Sequence, residues 1–171
     1  MSLKKITLLL MTLFSVLFIE GLFFHTAVAE IQTQEKAKAK QDAAEALKRH
    51  FEQLAPGVIT DRGAYFDSLY VVRHEGYHSI TREKFVKAGY DIFLGDAGIT
   101  EVRIKKARLL DEWYSKPVNG NGKSLQKRLT NVVEIVADVI GQDIDRNPNI
   151  QYDVTFHMVF DGGRWKPVWS Q

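Results

Sequence analysis

Ile150-Gln151-Tyr152-Asp153-Val154-Thr155-Phe156-His157-Met158-Val159-Phe160 is the stretch that decides the fold class. Ile150, Tyr152, Val154, Phe156, Met158 and Phe160 alternate with Gln151, Asp153, Thr155 and His157. That is the period of a half-buried β-strand, with one apolar face turned to a core and one polar face turned to solvent. Asp161-Gly162-Gly163 then reads as a turn, and Arg164 to Ser170 as the last strand. Upstream, Leu125 to Ile140 predicts a long strand with Val133, Ile135, Ala137 and Val139 on one face. Before it, Asn119-Gly120-Asn121-Gly122 supplies turn residues that tolerate positive φ. A further strand starts at Ile99 and runs toward Leu110, with Val102 and Ile104 alternating with Glu101, Arg103 and Lys105.

Nearer the N-terminus the period is helical. Ala44, Leu47, Phe51 and Leu54 form one stripe, ended by Pro56-Gly57. Tyr65, Phe66, Leu69 and Val72 predict a second helix from Arg62 to about Val72. Thr81 is the N-cap of a third, with Ile80 and Phe85 as a hydrophobic staple, Gly89 and Ile92 on the same side as Phe85, and Gly95 as its stop. Helices first and strands afterwards define an α+β class. The expectation is three helices on one apolar face of a curved, mainly antiparallel four-stranded sheet.

The chain has 171 residues, 45% of them apolar, and a formal charge of +2. Such a balance carries no cationic stripe for nucleic acid. With no cysteine there is no disulfide, thiolate metal site or Cys nucleophile. Lys4-Lys5, the apolar run from Ile6 to Phe24 broken by Glu20, and Ala27-Val28-Ala29 read as an export signal cut after Ala29. An uncleaved membrane anchor is the alternative, because the run is close to the ~20 residues that span a bilayer. Either reading places the rest outside the cytoplasm, secreted or held at the outer face of the membrane. Residues 1–29 are therefore the signal or anchor, 30–50 a charged helical stalk grading into the first helix, and 51–171 the α+β domain.

Ser79-Ile80-Thr81-Arg82-Glu83-Lys84-Phe85 leads to Tyr90-Asp91-Ile92-Phe93 and then Ile99-Thr100-Glu101-Val102-Arg103-Ile104. The end reads Asp161-Gly162-Gly163-Arg164-Trp165-Lys166-Pro167-Val168-Trp169-Ser170. Over roughly Phe51 to Gln171 this resembles the nuclear transport factor 2-like cone, in particular the non-catalytic N-terminal domain of resistance-type class B penicillin-binding proteins. The resemblance implies a bacterial cell-envelope protein. In that family a transpeptidase with Ser-x-x-Lys, Ser-x-Asn and Lys-Thr-Gly motifs follows. Here Ser124-Leu125-Gln126-Lys127 spells the first motif, but it opens a strand after a Gly-rich turn, and the other two are absent.

His74-Glu75-Gly76-Tyr77-His78 spells H-E-x-x-H, a zinc signature when both histidines share a helix face, with Glu101 or Glu112 as the third ligand. Gly76 disfavours a helix, and Ser79-Ile80-Thr81 already begins the next one. The expected placement is a short Val71-Val72 strand followed by a turn, with no metal. Gly122-Lys123-Ser124 fails as a phosphate loop because Pro117 stands where a glycine is needed. Asp153 and His157, like Glu134 and Asp138, read as solvent-facing residues of their strands.

The expected function is a non-catalytic binding or assembly module with no cofactor. Its expected partner is a cell-envelope protein or a second copy, held through the face carrying Asp153, Thr155 and His157 or through an edge strand. The alternative uses the cavity of such a cone for a small molecule or for isomerase- or dehydratase-type proton transfer. That chemistry needs an inward carboxylate or His with a partner Tyr, for which Asp91, Tyr65 and Tyr90 are the candidates. Tyr65, Tyr90, Trp165 and Trp169 are the expected cavity lining. A zinc hydrolase using His74, Glu75 and His78 is the second alternative.

Overall fold

In a computed structural model, the residues described are 32–53, 61–74, 81–88, 99–120, 123–142, 145, 147–169. The expected signal or anchor segment, Pro56-Gly57, Glu75, His78, Ile80, Tyr90, Asp91 and Gly95 lie outside them. The chain divides into two compact units, Met1–Lys38 and Ala39–Gln171. In the first, residues 32–38 are exposed helix. Every described strand belongs to the second.

Helix α1 occupies residues 32–52. Its buried stripe is Ala43, Leu47 and His50, with Ala44 and Phe51 beside it. Helix α2, Arg62–Asp67, starts at Asp61, whose Oδ1 accepts the Ala64 N–H at 2.9 Å. It is shorter than the spacing predicts. At its end the Ser68 hydroxyl donates to the Tyr65 carbonyl at 2.6 Å, and the Tyr70–Val71 pair, two residue types that favour extended backbone, forms strand β1 instead. The expected short strand before His74 is thus present, beginning one residue earlier. Helix α3, Arg82–Ala88, is capped by Thr81 as predicted, its Oγ1 accepting the Lys84 N–H at 3.3 Å. Arg82 Nε donates to both Asp67 carboxylate oxygens at 3.0 and 3.1 Å, tying α3 to α2. Its guanidinium lies where a side chain at residue 63 would begin, so any residue larger than Gly63 would have to push it aside.

The strands are β2 (Ile99–Tyr114), β3 (Val118–Gly120), β4 (Lys123–Leu125), β5 (Arg128–Gln142), β6 (Pro148–Asp161) and β7 (Arg164–Trp169). The order is β1-β7-β6-β5-β2, antiparallel except for β1, which joins β7 in parallel. β3 and β4 form a separate small hairpin. The molecule is α+β with a mostly antiparallel sheet. The four expected strands are there, the one from Ile99 running on to Tyr114 and the next starting at Arg128. Gly162 (φ 58°) and Gly163 (φ 80°) form the two-residue turn between β6 and β7, a conformation that glycine adopts without penalty.

Val133, Ile135, Ala137 and Met158 are fully buried against Ala43 and Leu47 of α1. Tyr65, Phe66, Leu69 and Phe85 of the α2–α3 region bury Ile99 and Val139, with Trp169 alongside. The reverse face has its own smaller cluster, Leu129, Val132 and Val159 with Tyr70, Leu110, Trp113 and Val168.

The strict alternation of β6 is broken. Ala137 pairs with Val154 but Val139 pairs with Gln151, so β6 uses three residues where β5 uses two. Gln151 therefore stands opposite buried Val139, and Ile150 and Tyr152 turn outward, 42% and 68% exposed. Phe160 extends past the covered core and is also exposed, its ring edge-on to Trp165. Across β5 the same happens in β2, where Lys105 is the extra residue between Ile104 and Lys106. The two bulges meet over Asp138. Lys105 Nζ lies 2.8 Å from Asp138 Oδ1 and 2.9 Å from Asp153 Oδ1. The Lys105 hydrogen bond, helped by the Asp153 N–H, holds the Asp138 carboxyl below the usual carboxylate range. Asp138 is thus a nearly buried partner of Lys105, not a solvent-facing residue.

Candidate functional site

β6 and β7 stay paired only from Met158–Pro167 to Asp161–Arg164. Proline brings no N–H to the ladder. Beyond Pro167, β7 continues as the partner of β1, Val168 with Tyr70 and Trp169 with Val71. Between the parting strands, and under α1 and α2, lies a cavity of about 470 Å³. Leu47, Phe51, Leu69, Val154, Phe156 and Trp169 give it apolar walls; Tyr65, His50, Thr155, His157 and Lys116 supply its polar groups. This is the size and character of a small-molecule site. A second cavity of about 430 Å³ lies on the other side of His50, lined by Arg49, Phe160, Arg164 and Trp165 among others.

Tyr65 is 1% exposed, and its hydroxyl has no hydrogen-bond partner among the described residues. Its ring stacks on Phe85 and lies 4.9 Å from the His50 ring between centroids. Burial pushes the phenol pKa far up, so the group stays an O–H donor. His50 is 7% exposed, and burial pulls its pKa down to about 4, so it is neutral at pH 7. The neighbours decide which of its nitrogens carries the proton. The single Ser68 hydroxyl hydrogen is used on the Tyr65 carbonyl, so Ser68 Oγ, 3.1 Å from His50 Nδ1, accepts there. Nδ1 is the protonated nitrogen and Nε2 keeps the lone pair. The two rings, both uncharged at pH 7, thus pack together at the cavity lining.

At the far side of the cavity His157 stacks on Trp113, with centroids 4.4 Å apart, and its Nε2 is 3.5 Å from Glu134 Oε2. Burial lowers its pKa, against the opposing pull of Glu134. Glu134 also accepts from Arg108 at 3.0 Å. Neither His157 nor Glu134 is the solvent-facing residue that strand alternation predicts, because the Trp113 ring covers His157. Asp153 is not its partner either, being held by Lys105.

Of the expected lining, Tyr65 and Trp169 reach the larger cavity and Trp165 the second one. Tyr90 and Asp91 lie outside the described residues. His50 is absent from the expected set, although it follows Leu47 by three residues on the same helix stripe. Of the expected docking face, Thr155 and His157 line the cavity, while Asp153 is part of the bulge.

His74 follows β1 and is partly buried, while Glu75 and His78 lie outside the described residues. Both proposed third ligands are engaged, Glu101 with Arg103 at 2.7 and 2.9 Å and Glu112 with Arg128 at 2.7 Å. Among the described residues no three His, Cys, Asp or Glu side chains are grouped to hold a metal ion. Ser124 lies in β4, paired with Asn119, and the Lys127 N–H is bound to Ser115 Oγ at 2.9 Å. That is strand geometry, without the helix start a transpeptidase serine needs. Among the described residues no helix is long and apolar enough to cross a membrane. No family model, curated protein or solved structure matches the chain.

Proposed function

We propose that this chain is an exported binding module of the cell envelope, built on a nuclear transport factor 2-like cone, that holds a small apolar molecule in the cavity between β6, β7, α1 and α2. The observation that carries the proposal is the cavity itself, about 470 Å³ with apolar walls from Leu47, Phe51, Leu69, Val154, Phe156 and Trp169. Export rests on Lys4-Lys5, the apolar run and Ala27-Val28-Ala29, with an anchored form as the alternative. The family reading rests on the resemblance to the non-catalytic domain of penicillin-binding proteins.

His50 and Tyr65, whose rings pack together on the cavity lining, are the groups the proton-transfer alternative would use. Their acidities argue for binding instead. A general base and acid work best with pKa values near the operating pH. Burial drives His50 down to about 4 and Tyr65 up, both away from neutrality. Capture of a cell-envelope protein or of a second copy through Asp153, Thr155 and His157 has less support, because Asp153 and His157 are tied within the sheet.

The test is binding of the neutral fluorophore N-phenyl-1-naphthylamine to the full chain, followed by its emission and by the thermal midpoint. The reading expects saturable binding and a raised midpoint, both lost when Leu69→Arg fills the cavity with charge. No binding by the unaltered chain overturns it.

A further inference from the structure

Resting on that reading, we infer that the apolar molecule held in the cavity is a chain that ends in an anionic group, which sits at the cavity mouth beside Lys116. No aspartate or glutamate lines the cavity among the described residues. Burial keeps the two lining histidines uncharged at neutral pH, so the charge of the lining is that of Lys116. Lys116 is exposed and therefore marks the side on which the cavity opens. A lysine at such an edge lays its methylene stem along the apolar wall and keeps its ammonium in water. The neighbouring chain adds charge of the same sign. From Tyr114 to Val133 it carries Lys116, Lys123, Lys127 and Arg128 and no acidic residue. Backbone contacts gather two of these at one place. The Ser115 N–H donates to the Lys127 carbonyl and the Lys127 N–H to Ser115 Oγ, both at 2.9 Å. Tyr114 pairs with Arg128 on one side and Val118 with Leu125 on the other, which sets Lys116 and Lys127 at facing positions between them. Arg128 is neutralised by Glu112, whereas Lys116 and Lys127 have no carboxylate partner among the described residues. Like charges at facing positions repel, and an anion received there turns the repulsion into attraction. The apolar wall beside them concentrates the field. A cationic head meets repulsion at the mouth and finds no carboxylate in the lining.

Displacement of N-phenyl-1-naphthylamine from the full chain at neutral pH and low salt tests this. Decanoate and decylammonium share one chain and differ in the sign of the head. Decanoate is expected to displace the fluorophore about tenfold more effectively, since the attraction of one head and the repulsion of the other each have the size of an exposed ion pair. Lys116→Glu should reverse the ranking within that variant, Lys127→Glu should narrow it, and about 0.5 M salt should narrow it in the unaltered chain. Dihexanoylphosphatidylglycerol, a soluble lipid with a phosphate head, separates the sources of the anion. Stronger displacement by it than by decanoate assigns the head to a membrane lipid, weaker displacement to a free acid, and either supports the inference. Equal displacement by decanoate and decylammonium, stronger displacement by decylammonium, or a ranking unmoved by Lys116→Glu overturns the selection of an anion and leaves the cavity reading standing. No binding of N-phenyl-1-naphthylamine by the unaltered chain overturns both.

Discussion

The Asp153 N–H donates to Asp138 Oδ1 at 3.0 Å, so two aspartates on neighbouring strands meet at the point where both flanking strands bulge. Lys105 Nζ lies within 2.9 Å of both carboxylates and makes their meeting favourable, with the Tyr152 ring 5.9 Å from the ammonium. Asp153 itself has φ 53°, in the left-handed region.

That backbone angle sets the first expectation. Asp153→Gly relieves the conformation while giving up an exposed ion pair, and should leave stability within about 1 kcal/mol. Asp153→Val puts a β-branched side chain at positive φ and should cost about 1–2 kcal/mol more than the glycine variant. Urea unfolding of the two variants compares them directly. Equal stabilities would mean that the bulge has relaxed to another register.

Tyr65→Phe removes a hydroxyl that has no partner among the described residues and leaves the ring stacked between His50 and Phe85. The empty protein should keep its stability or gain about 1 kcal/mol. A loss of more than about 1 kcal/mol by chemical denaturation would show that the hydroxyl is bonded in solution.

Stability should fall between neutral pH and pH 4 because of His50. Its folded pKa of about 4 lies below the ordinary 6.5. Between those values the unfolded chain takes up a proton that the folded chain refuses. The contribution is therefore complete above about 6.5 and lost as pH falls toward 4, about 3 kcal/mol in all. His157, also lowered by burial, adds to the same slope. Asp67, Glu101 and Asp138 are held below the usual carboxylate range, so their losses come at lower pH. Denaturation midpoints at about pH 7 and 4.5 should converge in His50→Gln relative to the unaltered chain; an unchanged slope would rule His50 out as its source.

Trp169→Ala should cost about 3–5 kcal/mol, because the ring packs edge-on to Phe85 in the α2–α3 core. Trp165→Ala should cost less, about 2 kcal/mol, since that ring faces the exposed Phe160 and the second cavity. The reverse ranking by thermal or urea unfolding would put the heavier packing on the α1 side of this face, where Trp165 touches the cluster of Val133, Ile135 and Met158.

The α+β class was legible because Val133, Ile135, Ala137 and Met158 keep a period of two where they matter most. The two outward turns of Ile150 and Tyr152 were not, because a bulge is set by the partner strand's register, which alternation within one strand does not contain. The short strand before His74 was expected, but its bounds and its parallel partner were not, for a similar reason. Two residues of Tyr-Val are too short to carry a period, and only the distant Val168–Trp169 makes them a strand. Of the cavity, the aromatic walls Tyr65 and Trp169 could be read from their types. His50 could have been found from its place three residues after Leu47, but its neutrality comes from burial and its tautomer from Ser68, eighteen residues away.

The parallel join of β1 to β7 also bears on when the molecule can assemble. Arg164 reaches back to the Asp67 carbonyl across 97 residues, and Val72 gives its N–H to Trp169. The segment just after α2 therefore has no docking edge until β7 has been made and turned back on β6. Contacts of such long range must pay their loop-closure entropy first, and they slow folding. A nascent chain of this kind stays open for most of its synthesis, which is the condition a protein needs if it is to be threaded through a narrow channel before it folds.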